Sequence, residues 1–124
     1  MRGLLDTHIL LWWLTEPRRL SGTQYEAIAS ERQDLAVSSV SIAEIAIKTS
    51  IGKLAVIDGL TEVVARQGFR ELPFAHRHAL ELATLPLLHR DPFDRMLVAQ
   101  CIADDLVLIT GDRRLSAYPV TTIT

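Results

Sequence analysis

Cysteine and lysine are scarce in this 124-residue chain, and both shortages restrict what the protein can be. Cys101 is the single cysteine, so no disulfide can form within the chain and a zinc site built from thiolates is not expected. Lys48 and Lys53 are the only lysines, and the formal net charge is −2. This balance argues against a protein that binds nucleic acid through a broad basic surface.

Long apolar segments and glycine-rich nucleotide motifs are also missing. The longest apolar run, Ile9–Leu14, is far too short to cross a bilayer, and Asp6 interrupts the amino terminus before a cleavable signal could form. No G-x-G-x-x-G follows an apolar strand, which argues against a dinucleotide-binding module. No lysine follows Lys53, whereas receiver-like phospho-acceptor domains need one after a late strand. We expect a single globular domain, residues 1–124, with no membrane segment and a cytoplasmic location.

Short apolar strands alternate with amphipathic helices along the chain. Strands are predicted at 2–5, 35–37, 70–73, 106–109 and 120–123, and helices at 8–14, 22–32, 39–50, 58–68, 75–83 and 92–104. Unbroken apolar strands separated by helices imply a mostly parallel sheet covered on both faces. Right-handed crossovers then bring the carboxyl ends of the strands to one edge, where ligand sites of open α/β sheets form.

The segment from His89 to Gln100 opens with a clear helix start. Asp91 can accept hydrogen bonds from the free N–H groups, and Pro92 at the first helical position sacrifices no hydrogen bond. Asp94 falls three residues past the cap, where a carboxylate suits the helix dipole. It also shares a helix face with Leu97 and Val98, so it points along apolar surface. A carboxylate in that place needs a partner.

Three further acids are predicted to lie near the same edge. Asp6 and Asp112 directly follow apolar strands, and Glu44 lies one turn into the helix after another strand. For Glu44 the alternative is an exposed ion pair with Lys48 at the favourable i, i+4 spacing. Each acid alone is explained by structure, but four converging carboxylates repel one another and raise one another's pKa. An all-oxygen set of this kind favours Mg²⁺, with Mn²⁺ as an option, and phosphodiester hydrolysis is the natural chemistry.

Several motifs together carry a family resemblance. They are Leu4-Leu5-Asp6-Thr7-His8, Ser41-Ile42-Ala43-Glu44-Ile45-Ala46-Ile47-Lys48, Gly52-Lys53-Leu54, His89-Arg90-Asp91-Pro92-Phe93-Asp94-Arg95 and Leu108-Ile109-Thr110-Gly111-Asp112. In this order they resemble a PIN-domain nuclease, and more narrowly the VapC-type toxins of bacterial toxin–antitoxin pairs. The resemblance implies a three-layer α/β/α sandwich, Mg²⁺-dependent cleavage of RNA, a homodimer and inhibition by a small antitoxin. It assigns metal binding and catalysis to an acidic quartet: Asp6, Glu44, Asp94 and Asp112.

Other polar residues near the acidic quartet receive supporting roles. We expect the Thr7 and Thr110 hydroxyls to support the metal ligands, with N-capping as an equal alternative. Asp91 is assigned to capping and support of the site. Arg95 and Arg113 are expected to hold substrate phosphates. The alternatives for the whole protein are a PIN nuclease of RNA processing outside any toxin–antitoxin pair and a non-catalytic acidic α/β domain.

The remaining aromatic residues predict a partner surface, and the histidine spacing argues against a zinc site and a histidine-based ribonuclease. Trp12 and Trp13 are adjacent on a helix that is apolar on nearly all sides, so they point in different directions. This helix is predicted to line an apolar groove for the antitoxin, which adds a basic side chain to the acidic quartet. His76 and His78 form an H-x-H, but His89 lies far along the chain. No spacing demands a zinc site or a histidine-based ribonuclease.

Overall fold

The computed structural model describes residues 1–124 as one sheet flanked by helices. The strands are β1 (Gly3–Leu5), β2 (Leu35–Ser38), β3 (Arg70–Leu72), β4 (Val107–Ile109) and β5 (Thr122–Ile123); the α-helices are α1 (Thr7–Thr15), α2 (Gly22–Glu31), α3 (Ser39–Ser50), α4 (Leu60–Arg66), α5 (His76–Leu82) and α6 (Pro92–Asp104). Each predicted strand and helix is present, with ends displaced by no more than two residues. None of the helices has the length and apolar character that crossing a membrane requires.

The sheet is parallel throughout, in the order β3-β2-β1-β4-β5. The central strand β1 pairs with β2 on one side and β4 on the other, so that Leu4 lies between Ala36 and Leu108. The chain builds one half of the sheet through β1, β2 and β3, and then returns past β1 to add β4 and β5. This reversal places a crevice at the carboxyl ends of β1 and β4, the position where parallel α/β sheets bind ligands.

Two separate apolar cores lie on opposite faces of the sheet. Successive residues of a strand point to opposite faces, and accordingly Leu4 belongs to one core and Leu5 to the other. The first core includes Leu97 and Val98 of α6, and the second includes Ile9 of α1 together with residues of α2, α3 and α4. The predicted three-layer α/β/α sandwich is therefore confirmed.

Three helices that border the crevice begin with a polar cap. Asp6 accepts from the Ile9 N–H at the start of α1, and Ser38 accepts from the Val40 N–H at the start of α3. At the start of α6 the cap is Asp91. Since these helices start at or near the carboxyl edge of the sheet, their first turns deliver polar side chains to one place.

Candidate active site

Asp6 and Thr110 occupy the carboxyl ends of the two strands that border the crevice. Asp6 is only 4% exposed, and its second carboxylate oxygen accepts a hydrogen bond from the Thr110 hydroxyl. Burial raises the pKa of Asp6, although the hydrogen bonds from Thr110 and from the Ile9 N–H oppose that shift. The Thr110 oxygen also accepts the Asp112 N–H at 3.0 Å. Thr110 therefore connects two of the predicted metal ligands.

Glu44 is buried in α3, with one carboxylate oxygen paired and the other unpaired. Its Oε2 accepts from Lys48 Nζ at 2.6 Å, and this bond raises the pKa of Lys48. Its Oε1 is buried and has no hydrogen-bond partner. The alternative of an exposed ion pair is wrong in one respect, because Glu44 is 2% exposed. A buried carboxylate oxygen without a partner is costly, so this position suits a bound cation.

Asp94 lies in the first turn of α6, among other carboxylates. Burial, followed by the negative charges of Asp91 and Asp6, raises the pKa of Asp94 to about 7. Glu44 acts in the same direction, while His89 opposes it. The mutual repulsion that the sequence predicts is therefore present among three members of the acidic quartet, Asp6, Glu44 and Asp94. A divalent cation relieves that repulsion, and its preferred oxygen ligands are the groups found here.

Asp112 differs from the other acids because an arginine neutralises it. Arg114 donates from Nε to Oδ1 at 3.0 Å and from Nη2 to Oδ2 at 2.9 Å. This paired hydrogen bond lowers the pKa of Asp112 well below its usual range, and His89 assists. The Arg114 side chain is 77% exposed, so the pair is open to solvent and easily exchanged. Arg114, rather than its neighbour Arg113, is the arginine that contacts the acidic quartet.

His89 is the residue that the sequence interpretation missed. Its Nε2 lies 2.9 Å from Asp112 Oδ2 and 3.7 Å from Asp94 Oδ2, and the imidazole is 8% exposed. One potential ligand atom from each of these three residues lies within 4.8 Å of the other two. The available signal was its position two residues before Asp91, in the segment that supplies Asp94. Spacing between histidines could not reveal it, since its partners are carboxylates.

The other predicted supporting residues hold the helices and the loop around the acidic quartet. Asp91 Oδ1 accepts from the Phe93 and Asp94 N–H groups at 2.9 and 3.3 Å, so its predicted capping role is confirmed. The Thr7 hydroxyl donates to Ser41 Oγ at 3.0 Å, tying α1 to α3. Arg95 donates to the Leu85 carbonyl oxygen at 3.1 Å and so holds the loop before α6. A role of Arg95 toward substrate stays a prediction.

A groove of about 440 Å³ lies beside α1 and reaches Lys48, the partner of Glu44; half of its lining residues are polar, so the predicted apolar character is only partly present. Trp12 and Leu11 line it, together with Leu54 and Ile57, and the Arg19 guanidinium lies 4.8 Å from the Trp12 ring centre. Trp13 points elsewhere and donates from Nε1 to Gln67 Oε1 at 3.0 Å. The two tryptophans therefore diverge as predicted, and Trp12 is the one that the groove exposes.

The chain is thus a parallel α/β/α sandwich with acidic side chains at its central crevice, an arrangement that is found in PIN domains. The PIN domain family matches residues 3–120, and the chain belongs to this family. Within it, the chain is similar to Ribonuclease VapC22 of Mycobacterium tuberculosis (strain ATCC 25618 / H37Rv), with 35% identity over 122 residues covering 93% of this chain and 90% of the relative. The VapC-type resemblance of the motifs is thereby confirmed.

Solved structures share the same fold. VapBC2 from Rickettsia felis, bound to a DNA fragment from the promoter of its genes, matches with a TM-score of 0.72 and 16% identity over 99% of this chain and 98% of that chain. DNA-bound VapBC from Salmonella typhimurium matches with a TM-score of 0.75 and 14% identity over 99% and 97%. Both comparisons establish the PIN-like fold of the whole chain.

Proposed function

We infer that this protein is a metal-dependent endoribonuclease and the toxin of a toxin–antitoxin pair. The observation that carries the chemistry is the buried Glu44 Oε1, which lacks a hydrogen-bond partner beside Asp6 and Asp94, whose pKa values are raised. Such an arrangement is typical of a site where a bound ligand compensates the unpaired oxygen and the close carboxylates. The 35% identity to a ribonuclease over most of both chains supports RNA as the substrate.

The acidic quartet supplies the residues that would hold the metal. Asp6, Asp94 and Asp112 would be ligands of Mg²⁺ or Mn²⁺, with Glu44 as a fourth ligand or as the residue that orients the attacking water. When bound, the metal lowers the pKa of a water and stabilises the leaving oxygen of the phosphodiester. Lys48 holds Glu44 in place through the 2.6 Å contact between Nζ and Oε2. Cleavage of this kind does not use the RNA 2′-OH as nucleophile, so selection of RNA depends on shape or single-strandedness.

Positive groups at the edge of the acidic quartet would hold the substrate backbone. Arg114 is mostly exposed and lies against Asp112, so its guanidinium is free to transfer to a phosphate when a metal takes over the carboxylate. Arg113 is exposed next to it and can add a second phosphate contact. Although the net charge of the chain is −2, these two arginines supply positive charge where the substrate backbone would lie.

The groove beside α1 and the similarity to solved VapBC structures support a proposal for the partner proteins. The groove beside α1 combines the Trp12 ring and aliphatic side chains with polar residues such as Arg19 and Lys48, which suits an amphipathic segment of a small antitoxin. A basic side chain of that antitoxin would pair with the acidic quartet in place of the metal. We further propose a homodimer that acts in the cytoplasm, where its RNA substrates lie.

Cleavage of a labelled RNA in Mg²⁺, in Mn²⁺ and in chelator tests the enzyme activity directly. We expect cleavage with either metal and none with chelator.

Expression with and without the short open reading frame next to its gene tests the toxin role, because a cognate antitoxin rescues growth. Cleavage without growth arrest would instead favour an RNA-processing nuclease. Absence of cleavage under every condition would favour a non-catalytic binding domain. Sedimentation velocity on dilution tests the dimer.

A further inference from the structure

The hydrogen bonds around His89 determine which ring nitrogen carries the proton. The Asp91 N–H points at Nδ1 from 3.1 Å, so the Nδ1 lone pair acts as the acceptor. In a neutral imidazole the proton then lies on Nε2. This nitrogen is 2.9 Å from Asp112 Oδ2, and it therefore donates to that carboxylate.

The backbone of His89 is fixed by a second residue. Tyr118 is 2% exposed, and its hydroxyl oxygen accepts the N–H groups of Leu88 at 3.1 Å and of His89 at 2.9 Å. The imidazole is thus held at its backbone, at Nδ1 and at Nε2. A group fixed at three points keeps its orientation at little entropic cost when a ligand binds.

The same hydrogen bonds argue against His89 as a metal ligand. Its distance from Asp94 and Asp112 would suit ligation, but Nε2 has no free lone pair while it carries the proton. A metal-bound histidine normally donates its other ring N–H to an acceptor. Here the other ring nitrogen faces the Asp91 N–H, which is a donor. The imidazole therefore acts on the carboxylate rather than on the metal.

A second histidine of this chain has the same hydrogen-bond pattern in a structural setting. The Ala75 N–H donates to His78 Nδ1 at 2.9 Å, and His78 Nε2 lies 3.0 Å from Asp104 Oδ2. His78 is fully buried, and Asp104 is the last residue of α6, at the opposite end from Asp94. His78 therefore provides an internal reference for the ring tautomer of His89.

We propose that His89 is a positioning residue of the acidic quartet, whose Nε2–H holds Asp112 Oδ2 so that the carboxylate stays aligned when Arg114 leaves. The inference rests on the proposed function, because Asp112 needs alignment only if it binds a metal. The contrast in exposure supports it, since Arg114 is 77% exposed and His89 is 8% exposed. One partner of Asp112 can leave while the other remains.

Nitrogen NMR of the histidine rings tests the tautomer. In metal-free protein labelled with ¹⁵N-histidine, we expect the His89 ring to give the Nε2–H pattern, as His78 does. The His89→Gln variant identifies the His89 signal by its loss. An Nδ1–H pattern for His89 in the wild-type protein would overturn the proposal.

Binding of Mn²⁺, followed by the electron spin resonance of the free ion, tests the consequence. We expect His89→Leu to weaken Mn²⁺ binding at least about tenfold, the effect typical of losing a group that orients a ligand. His89→Gln, whose amide N–H can reach the same oxygen, should recover most of the affinity. The matched control is His76→Leu, at an exposed position, which should bind Mn²⁺ like the wild type.

The outcomes separate this inference from the proposed function. Unchanged Mn²⁺ affinity in folded His89→Leu, with RNA cleavage intact in the wild type, overturns the role of His89 alone. Wild-type protein that neither binds Mn²⁺ nor cleaves RNA overturns both. If His89→Leu does not fold, His89→Gln and the wild-type tautomer decide. Hyperfine coupling of bound Mn²⁺ to a directly bonded nitrogen, lost in His89→Gln, would make His89 a ligand and contradict the proposal.

Discussion

The hydroxyl oxygen of Tyr118 accepts the backbone N–H of His89 at 2.9 Å, across 29 residues of sequence. This contact fastens the loop before α6 to the segment that follows β4. The loop supplies His89, and the segment after β4 supplies Asp112. The buried phenol of Tyr118 is therefore one of the contacts that fix the relative position of these two side chains.

We expect Tyr118→Phe to destabilise the protein and to weaken metal binding together. The ring still fills its place in the core, but two N–H groups lose their acceptor, which costs about 1–3 kcal/mol where they are buried. Urea denaturation and Mn²⁺ binding measure the two effects. Tyr25→Phe is the matched control, since Tyr25 is 46% exposed, and it should change neither. Normal Mn²⁺ affinity in Tyr118→Phe would show that the loop is held in place by other contacts.

Removing single charges from the acidic quartet should abolish cleavage of RNA while the fold survives. We expect Asp6→Asn, Asp94→Asn and Asp112→Asn each to lower the cleavage rate by at least about a hundredfold, because each removes a metal oxygen ligand. Rates measured in saturating Mg²⁺, with circular dichroism as the check on folding, test this. Full activity in any one variant would remove that residue from the site.

Asp91→Asn provides a control for the same helix end. Asparagine caps helices about as well as aspartate, and the observed role of Asp91 is to accept the Phe93 and Asp94 N–H groups. We therefore expect a mild loss of activity. If Asp91→Asn is as severe as Asp94→Asn, then Asp91 acts in the chemistry and not only as a cap.

Without metal, the stability of the folded protein should fall as the pH rises from 5.5 to 7.5. The pKa of Asp94 is raised to about 7, against about 3.9 in the unfolded chain, so the folded state retains a proton that the unfolded state has released. This contribution is full below pH 4 and is lost as the pH passes 7. The lowered pKa values of Asp112 and Asp104 act below pH 4, outside this window.

Thermal melting in chelator and in millimolar Mg²⁺ measures the effect. In chelator, we expect the free energy of unfolding to fall by on the order of 1 kcal/mol between pH 5.5 and 7.5. The figure is modest because Asp94 is partly screened by solvent. Mg²⁺ should narrow or invert the difference in stability between pH 5.5 and 7.5, because it binds only the deprotonated folded site. Asp94→Asn should reduce the pH dependence and gain less from Mg²⁺. A melting temperature indifferent to both pH and Mg²⁺ would mean that the four acids do not share a site.

The two adjacent arginines after Asp112 should behave differently although they carry equal charge. A metal that binds Asp112 must displace the Arg114 guanidinium, so we expect Arg114→Gln to tighten Mn²⁺ binding about two- to fivefold. The same variant should raise the KM for RNA, since a phosphate contact is lost. Arg113→Gln is the matched control for charge, and its Mn²⁺ affinity should stay near that of the wild type. Equal changes in Mn²⁺ affinity in both variants would show that only the loss of a positive charge matters, and not the direct contact of Arg114 with Asp112.

Trp12 should report binding of the antitoxin, while Trp13 should not. Trp12 lines the groove beside α1, whereas Trp13 is hydrogen-bonded to Gln67. In the Trp13→Phe variant, we expect the remaining tryptophan emission to shift when the polypeptide encoded by the neighbouring reading frame is added. The Trp12→Phe variant should show little change. A complex that leaves Trp12 emission unchanged would place the partner on another surface.

The sequence determined the layers and most of the acidic quartet for local physical reasons. Apolar strands such as Leu106–Ile109 and helix starts such as Asp91-Pro92 are encoded in a few adjacent residues, whereas α4 and β5 were predicted too long. Parallel strands must end at one edge, so the convergence of Asp6 and Asp112 followed from order along the chain. The family resemblance added the activity and the partners, which no local pattern contains.

Which side chains meet depends on packing between elements that are distant along the chain. The choice of Arg114 over Arg113 depends on how one short turn is folded, and equal residues in adjacent positions cannot be separated by spacing. The burial of Glu44 depends on packing around α3, since its i, i+4 pairing with Lys48 is also compatible with full exposure. His89 meets Asp112 across 23 residues through a loop without periodicity, and such long-range contacts arise from packing rather than from local pattern.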